Sequence, residues 1–384
     1  MGLHWGAIAL QSLLPADLWA KLQTVQVDPN VPALDEDPLN FLNAETGEVM
    51  GAAIMSKFYR LRRSKLRALL AQHVDIRFGK QLDGISYSDD GRSVTARFTD
   101  GTSETGRLLI GADGAHSSVR RSLVGEQASA PNRLPFIATF IQASFPRELA
   151  LRLRSIHPLF LAGIHPGGYF SFFGMHDATE ADLPESWTFF FYISRPSSVE
   201  EQEHTGNWTS AQRLQEAKKL AERFGDPWKS AYAALSDDQP VWHMGFTDWD
   251  PAEHPWDNHG GRVTLAGDAA HTMTYQRGQG LNHSLTDADK LAEIISSFVA
   301  SDDIAAQQSA VATYEKEMIA RAGEEVRVST KNTRMLHVWE QMLQSPVMTG
   351  GMHKSKPKEN GNADQNGNAE QNGNAKQNGN AEPK

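Results

Sequence analysis

The 384-residue chain has no cysteine. Disulfides, thiolate catalysis and cysteine-ligated zinc are therefore excluded, and the expected compartment is the reducing cytoplasm. Equally absent is any run approaching the ~20 apolar residues of a membrane helix, and the first residues lack a signal-peptide pattern. Positive charge is in deficit: 37 Lys and Arg face 47 Asp and Glu, a net charge of -10 with a pI near 5.8. That balance argues against nucleic acid as the main partner. Gly-x-Ser-x-Gly, His-Glu-x-x-His and the P-loop pattern do not occur, so hydrolase, zinc protease and NTPase chemistry has no support. Nor does Gly-x-Gly-x-x-Gly, which would set a pyrophosphate on a helix N-terminus.

Two glycine- and aspartate-bearing segments are present. The first is Arg107-Leu-Leu-Ile-Gly-Ala-Asp-Gly-Ala-His-Ser-Ser-Val-Arg120; the second is Arg262-Val-Thr-Leu-Ala-Gly-Asp-Ala-Ala-His271, running on to Arg277-Gly-Gln-Gly-Leu-Asn282. In each, a short apolar strand meets a turn able to present backbone N–H groups and one carboxylate to a polar ligand. Ser117-Ser118 reads as the N-cap of a short helix whose Arg120 and Arg121 could pair with phosphate. The same residues also fit an ordinary strand-turn-helix with a solvated basic face. Asp268 stands at a strand's carboxyl end, where a carboxylate suits a polyol hydroxyl. Leu281 to Val299 then carries helical periodicity, offering a positive helix N-terminus after Gly278 and Gly280. Two such turns far apart in sequence suggest one extended cofactor clamped from both sides.

These segments resemble the Asp-Gly and Gly-Asp motifs of FAD-dependent aromatic hydroxylases, the p-hydroxybenzoate hydroxylase-like flavin monooxygenases, and most of all their fungal natural-product members. Tyr59-Arg-Leu-Arg-Arg-Ser-Lys-Leu-Arg-Ala-Leu-Leu70 is similar to that family's Arg-x-x-Leu helix start. The resemblance covers most of residues 1 to about 340. It implies a mixed α/β (α+β) fold: an FAD-binding, Rossmann-like domain from 1–132 and 246–345, and a substrate domain with a large antiparallel sheet from 133–245. By the same resemblance Arg63 contacts FAD, Asp268 bonds its ribityl chain, Gly280, Leu281 and Asn282 lie beneath the flavin ring, and Gly278 is a cofactor-binding residue. Asp113 and Gly114 match the motif associated with both FAD and NAD(P)H. One departure is Tyr275, where relatives usually carry a proline.

The resemblance also implies a first βαβ unit of roughly 30 residues or more ahead of the point that Met1-Gly2-Leu3-His4-Trp5-Gly6 matches. Without that unit's phosphate cradle, weak or no FAD binding by this polypeptide is expected. The implied activity is oxygen transfer from O2 to an electron-rich aromatic or polyketide-like small molecule, with NAD(P)H as reductant. Alternatives are a flavin-dependent halogenase or reductase, or a degenerate binding protein.

Elsewhere, residues 7–23 predict two short helices interrupted by Pro15, and Glu45-Thr-Gly-Glu48 a hairpin turn. Strands are expected at Ile76–Phe78, Gly84–Tyr87 and Val94–Phe98, and a sheet from 136–141, 159–164, 169–173 and 187–193. The aromatics of that sheet are candidate pocket walls or core. His165, Tyr169 and His271 read as structural residues. Helical stretches are expected at 211–235 and 311–328. The repetitive Asn-Gly-Asn-Ala tail at 350–384 has too little apolar surface to fold.

Overall fold

The computed structural model describes residues 1–344, apart from the side chains at 38 and 53–56; the tail at 350–384 lies outside the described residues. Its largest element is a seven-stranded sheet whose strands, in spatial order, are Val241–Asp248, Asn132–Ala143, Thr188–Pro196, Tyr169–Asp177, Phe160–His165, Glu36–Asn43 and Val49–Ser56. Neighbours are antiparallel except Phe160–His165 beside Glu36–Asn43, which run parallel. All four expected stretches are strands of this sheet. Three more join it: Val241–Asp248, and the two strands flanking the expected hairpin turn, where Gly47 takes φ +82°.

Because successive side chains on a strand face opposite ways, the sheet has two different surfaces. Phe140, Phe160, Phe172, Phe190, Tyr192 and Trp242 line a cavity. Ile141, Leu161, Phe173 and Phe191 alternate with them and belong to a core shared with the helices Ser210–Ala221 and Trp228–Ala233. On that helix-covered side the Trp228 ring occupies the space a Cβ on Gly163 would need. Gly225 and Pro227 separate the two helices, so the stretch expected at 211–235 is interrupted rather than continuous.

A second layer is built on the parallel pair Leu109–Gly111 and Val263–Leu265. Its core includes Leu291 from the helix Gly280–Phe298, and Tyr314 and Met318 from the helix Ile304–Leu336. Asp303 starts that 33-residue helix by accepting from the Ala305 N–H at 2.9 Å. The expected N-terminal helices are Ala7–Leu13 and Ala16–Trp19, and they share a third core with Leu66 and Leu69. Leu82–Tyr87, Val94–Phe98 and Ser103–Gly106 form a small antiparallel sheet. Ile76–Phe78 is not a strand: no neighbouring edge pairs with it, and Ile76 and Phe78 are exposed. Among the described residues no helix is long and apolar enough to cross a membrane.

Candidate active site

The two Gly/Asp turns leave the carboxyl ends of adjacent parallel strands, the place where open α/β sheets take ligands. The Ala266 N–H donates to the Gly111 carbonyl at 2.9 Å, and Gly114 and Gly267 both adopt positive φ, +86° and +61°. Arg120 fastens the turns together. Its guanidinium donates to the Asp268 carbonyl at 3.3 Å, to the Ala269 carbonyl at 2.9 Å and to the Ala115 carbonyl, and it lies 4.6 Å from the Trp249 ring centroid. This fully buried residue corrects the expectation that Arg120 meets phosphate, because backbone carbonyls already use its donors.

The second turn is also held from behind. Asp287, fully buried on the helix Gly280–Phe298, accepts from the Gly267 N–H at 2.8 Å and the His271 Nε2–H at 2.6 Å. Arg321 of the long helix donates to its other oxygen at 2.7 Å. Burial alone would push the Asp287 carboxyl up; the His271 hydrogen bond and the Arg321 charge outweigh it and bring it down to about 2. His271 is thus the loop brace expected. Asp287 and Arg321 were not picked out from sequence, although an acid on the buried face of an amphipathic helix was the available signal.

Between the turns and the sheet lies a cavity of about 1330 Å³. Arg63, Gly114, Asp268, Gly278, Gly280 and Leu281 all line it. The Asp268 carboxylate is exposed and has no hydrogen-bond partner among the described residues, and its Oδ1 lies 3.6 Å from where a Cβ on Gly280 would stand. Gly278 takes φ +66° and Gly114 φ +86°, each with nothing within 4 Å of an added Cβ. The helix Gly280–Phe298 begins beside them with no side-chain cap, so its first N–H groups remain available. Asp113 and Asn282 are not on the wall. Asp113 accepts from the Ser118 N–H at 2.7 Å and the Val119 N–H at 3.2 Å, which starts the helix Ser118–Ser129. Asn282, fully buried, accepts from the His4 and Gly6 N–H groups at 3.0 and 3.1 Å.

On the sheet side, the Tyr275 ring is wedged against Phe246, 4.7 Å between centroids, and against Phe140 and Tyr192 at 5.6 Å. Aromatic contacts thus position the loop at Tyr275. His165 bonds the Arg223 carbonyl at 3.0 Å and accepts from the Gly167 N–H at 2.9 Å, while the Tyr169 hydroxyl accepts from Arg223 at 3.0 Å. Both are structural, as read from sequence.

The wall therefore offers one unpaired carboxylate, open glycine backbone, a free helix N-terminus and an aromatic roof, a donor set that fits a flavin nucleotide. Comparison with known proteins agrees. An FAD binding domain family model matches residues 59–329, and the chain belongs to that family. It is 35% identical over 353 residues to the FAD-dependent monooxygenase cctM of Talaromyces islandicus, spanning 91% of this chain and 86% of that one. With the FAD-dependent monooxygenase phnB of Penicillium herquei the identity is 32% over 366 residues, 91% and 84% of the two chains. Its fold matches Klebsiella pneumoniae HpxO complexed with FAD and uric acid, with a TM-score of 0.67 at 20% identity over 90% and 81% of the chains. The protein is an FAD-dependent monooxygenase similar to these fungal enzymes, and these relatives favour that enzyme over a degenerate binding protein.

Proposed function

We propose that FAD lies along the turn side of the cavity, that an aromatic or polyketide-derived small molecule packs against the sheet side, and that NAD(P)H is the reductant. The observation that carries this reading is the convergence of both Gly/Asp turns and the aromatic face of the sheet on one cavity. When bound, the flavin supplies electron transfer from NAD(P)H and oxygen activation. The chain supplies placement. Asp268 accepts hydrogen bonds from the ribityl hydroxyls, and Arg63, which has no ion-pair partner among the described residues, neutralises the nucleotide's negative charge. Gly114, Gly278 and Gly280 let backbone approach closely, and Leu281 packs beneath the ring. Asp113 and Asn282 act at one remove, the first by shaping the Gly114 turn and the second by tying residues 4–6 to the cavity edge. The aromatic sheet face binds a planar substrate and excludes water.

Turnover tests the proposal. With added FAD, NADPH or NADH and a panel of dihydroxynaphthalenes under isotopically labelled O2, the expected product carries a single labelled oxygen atom. Failure of both nicotinamides to reduce the flavin would contradict it.

A further inference from the structure

The cavity is electrically lopsided. Its arginines are Arg60, Arg62, Arg63 and Arg277, and its carboxylate is Asp268. Arg62 is paired with Asp177, and Arg277 with Glu325 at 2.8 Å. Arg63 stands with the turn side in the reading above. Arg60 is left over.

Arg60 sits on the short strand Tyr59–Arg60, paired with Gly2–Leu3. Its main chain is fully used: the N–H donates to Gln26 Oε1 at 3.2 Å, and the carbonyl accepts from the Val27 N–H at 2.8 Å. Its side chain has no hydrogen bond or ion pair among the described residues, and Nε is shut off from solvent with no partner. The guanidinium carbon lies 5.0 Å from the Phe172 ring centroid and 6.0 Å from that of Phe160, rings of the sheet side. Burial draws the guanidinium down to about 10, which leaves it charged at neutral pH. The nearby titratable groups add no counter-charge. Burial and the Arg62 and Arg60 charges hold His176 near 4, so it is neutral, and burial keeps the Tyr192 phenol protonated.

A half-buried cation without an anion is costly. The cation–π contact with Phe172 offsets part of the cost. The remaining fork of N–H donors matches a planar oxyanion. We infer that Arg60 is a specificity-determining residue that receives the ionised acidic oxygen of the substrate, a carboxylate or phenolate on a planar aromatic ring seated against Phe160 and Phe172. The inference rests on the proposed function and narrows its substrate class to aromatic anions.

The test uses the full chain with FAD and two probes of matched shape, 2-naphthoate and neutral 2-naphthamide, read by tryptophan quenching. A charge-assisted pair predicts that the unsubstituted protein prefers the naphthoate by about tenfold or more. Arg60→Met should bring that ratio close to one with amide binding and FAD affinity unchanged, and Arg60→Lys should restore part of the preference. Equal or absent binding of both probes by FAD-loaded protein overturns the inference alone, as does an unchanged preference in Arg60→Met. Loss of FAD affinity in Arg60→Met also overturns it, assigning the guanidinium to the cofactor. If the unsubstituted protein takes up neither FAD nor probe, the proposed function falls with it.

Discussion

Asp287 does the most for the site among residues that never touch the cavity. One oxygen carries the Gly267 N–H and His271, the other Arg321. Asp287→Asn keeps one acceptor oxygen where two are used, so either the half-buried Arg321 guanidinium or the Gly267 N–H and His271 lose theirs, and we expect a loss of about 3 kcal/mol in urea-unfolding free energy. A loss below about 1 kcal/mol would show that the turn holds itself. The pH dependence has a definite sign. The folded carboxyl titrates near 2, below its usual value of 3.8. Its contribution is therefore complete above the unfolded value and is lost as pH falls from about 4 through 2. The Asn variant should lack that part of the acid transition in a circular-dichroism titration. Arg120 complements it by bonding carbonyls of both turns, so the two loops are fixed to each other as well as to the scaffold.

At the scale of elements, the helix Gly280–Phe298 matters through its beginning. Gly278 ends the preceding turn in the left-handed region at φ +66° and borders the cavity. A β-branched residue is poorly tolerated there, at about 1–2 kcal/mol, and its Cβ would enter the space proposed for the flavin. Gly278→Val is expected to weaken FAD binding by about tenfold while the protein still folds, since a change of this size costs only a few degrees in Tm. Unchanged FAD affinity would place the flavin elsewhere. Both turns were legible in sequence because glycine and aspartate punctuate the backbone locally, with no need to know what pairs with what. The sheet was legible only in part. Phe189, Phe190, Phe191 and Tyr192 are all aromatic, so alternation did not reveal which of them face the cavity; pairing with the neighbouring strands decides that. Val241–Asp248 carries His243 and Gly245 among its apolar residues and gave a weaker strand signal. Ile76-Arg-Phe78 had the alternation but no edge to join. The roles of Arg60, Arg120 and Asp287 depend on partners far away in sequence, and no spacing within their own segments encodes them.

For the whole molecule, a sheet backed by helices on one face and bare on the other must cover its aromatic surface or use it. Here the opposing wall is made by two distant turns that end on adjacent parallel strands, and the space between is large enough for a nucleotide cofactor and a planar substrate together. The arrangement requires that Asp268, the carboxylate on the wall, be spent on the cofactor and not on the fold. Fluorescence titration of FAD into the protein and into Asp268→Ala, alongside urea unfolding of both, tests that requirement most directly. The account predicts FAD affinity reduced by about tenfold or more, the worth of hydrogen bonds to a charged acceptor, with unfolding free energy unchanged within about 0.5 kcal/mol. Equal FAD affinity in the two proteins would contradict it.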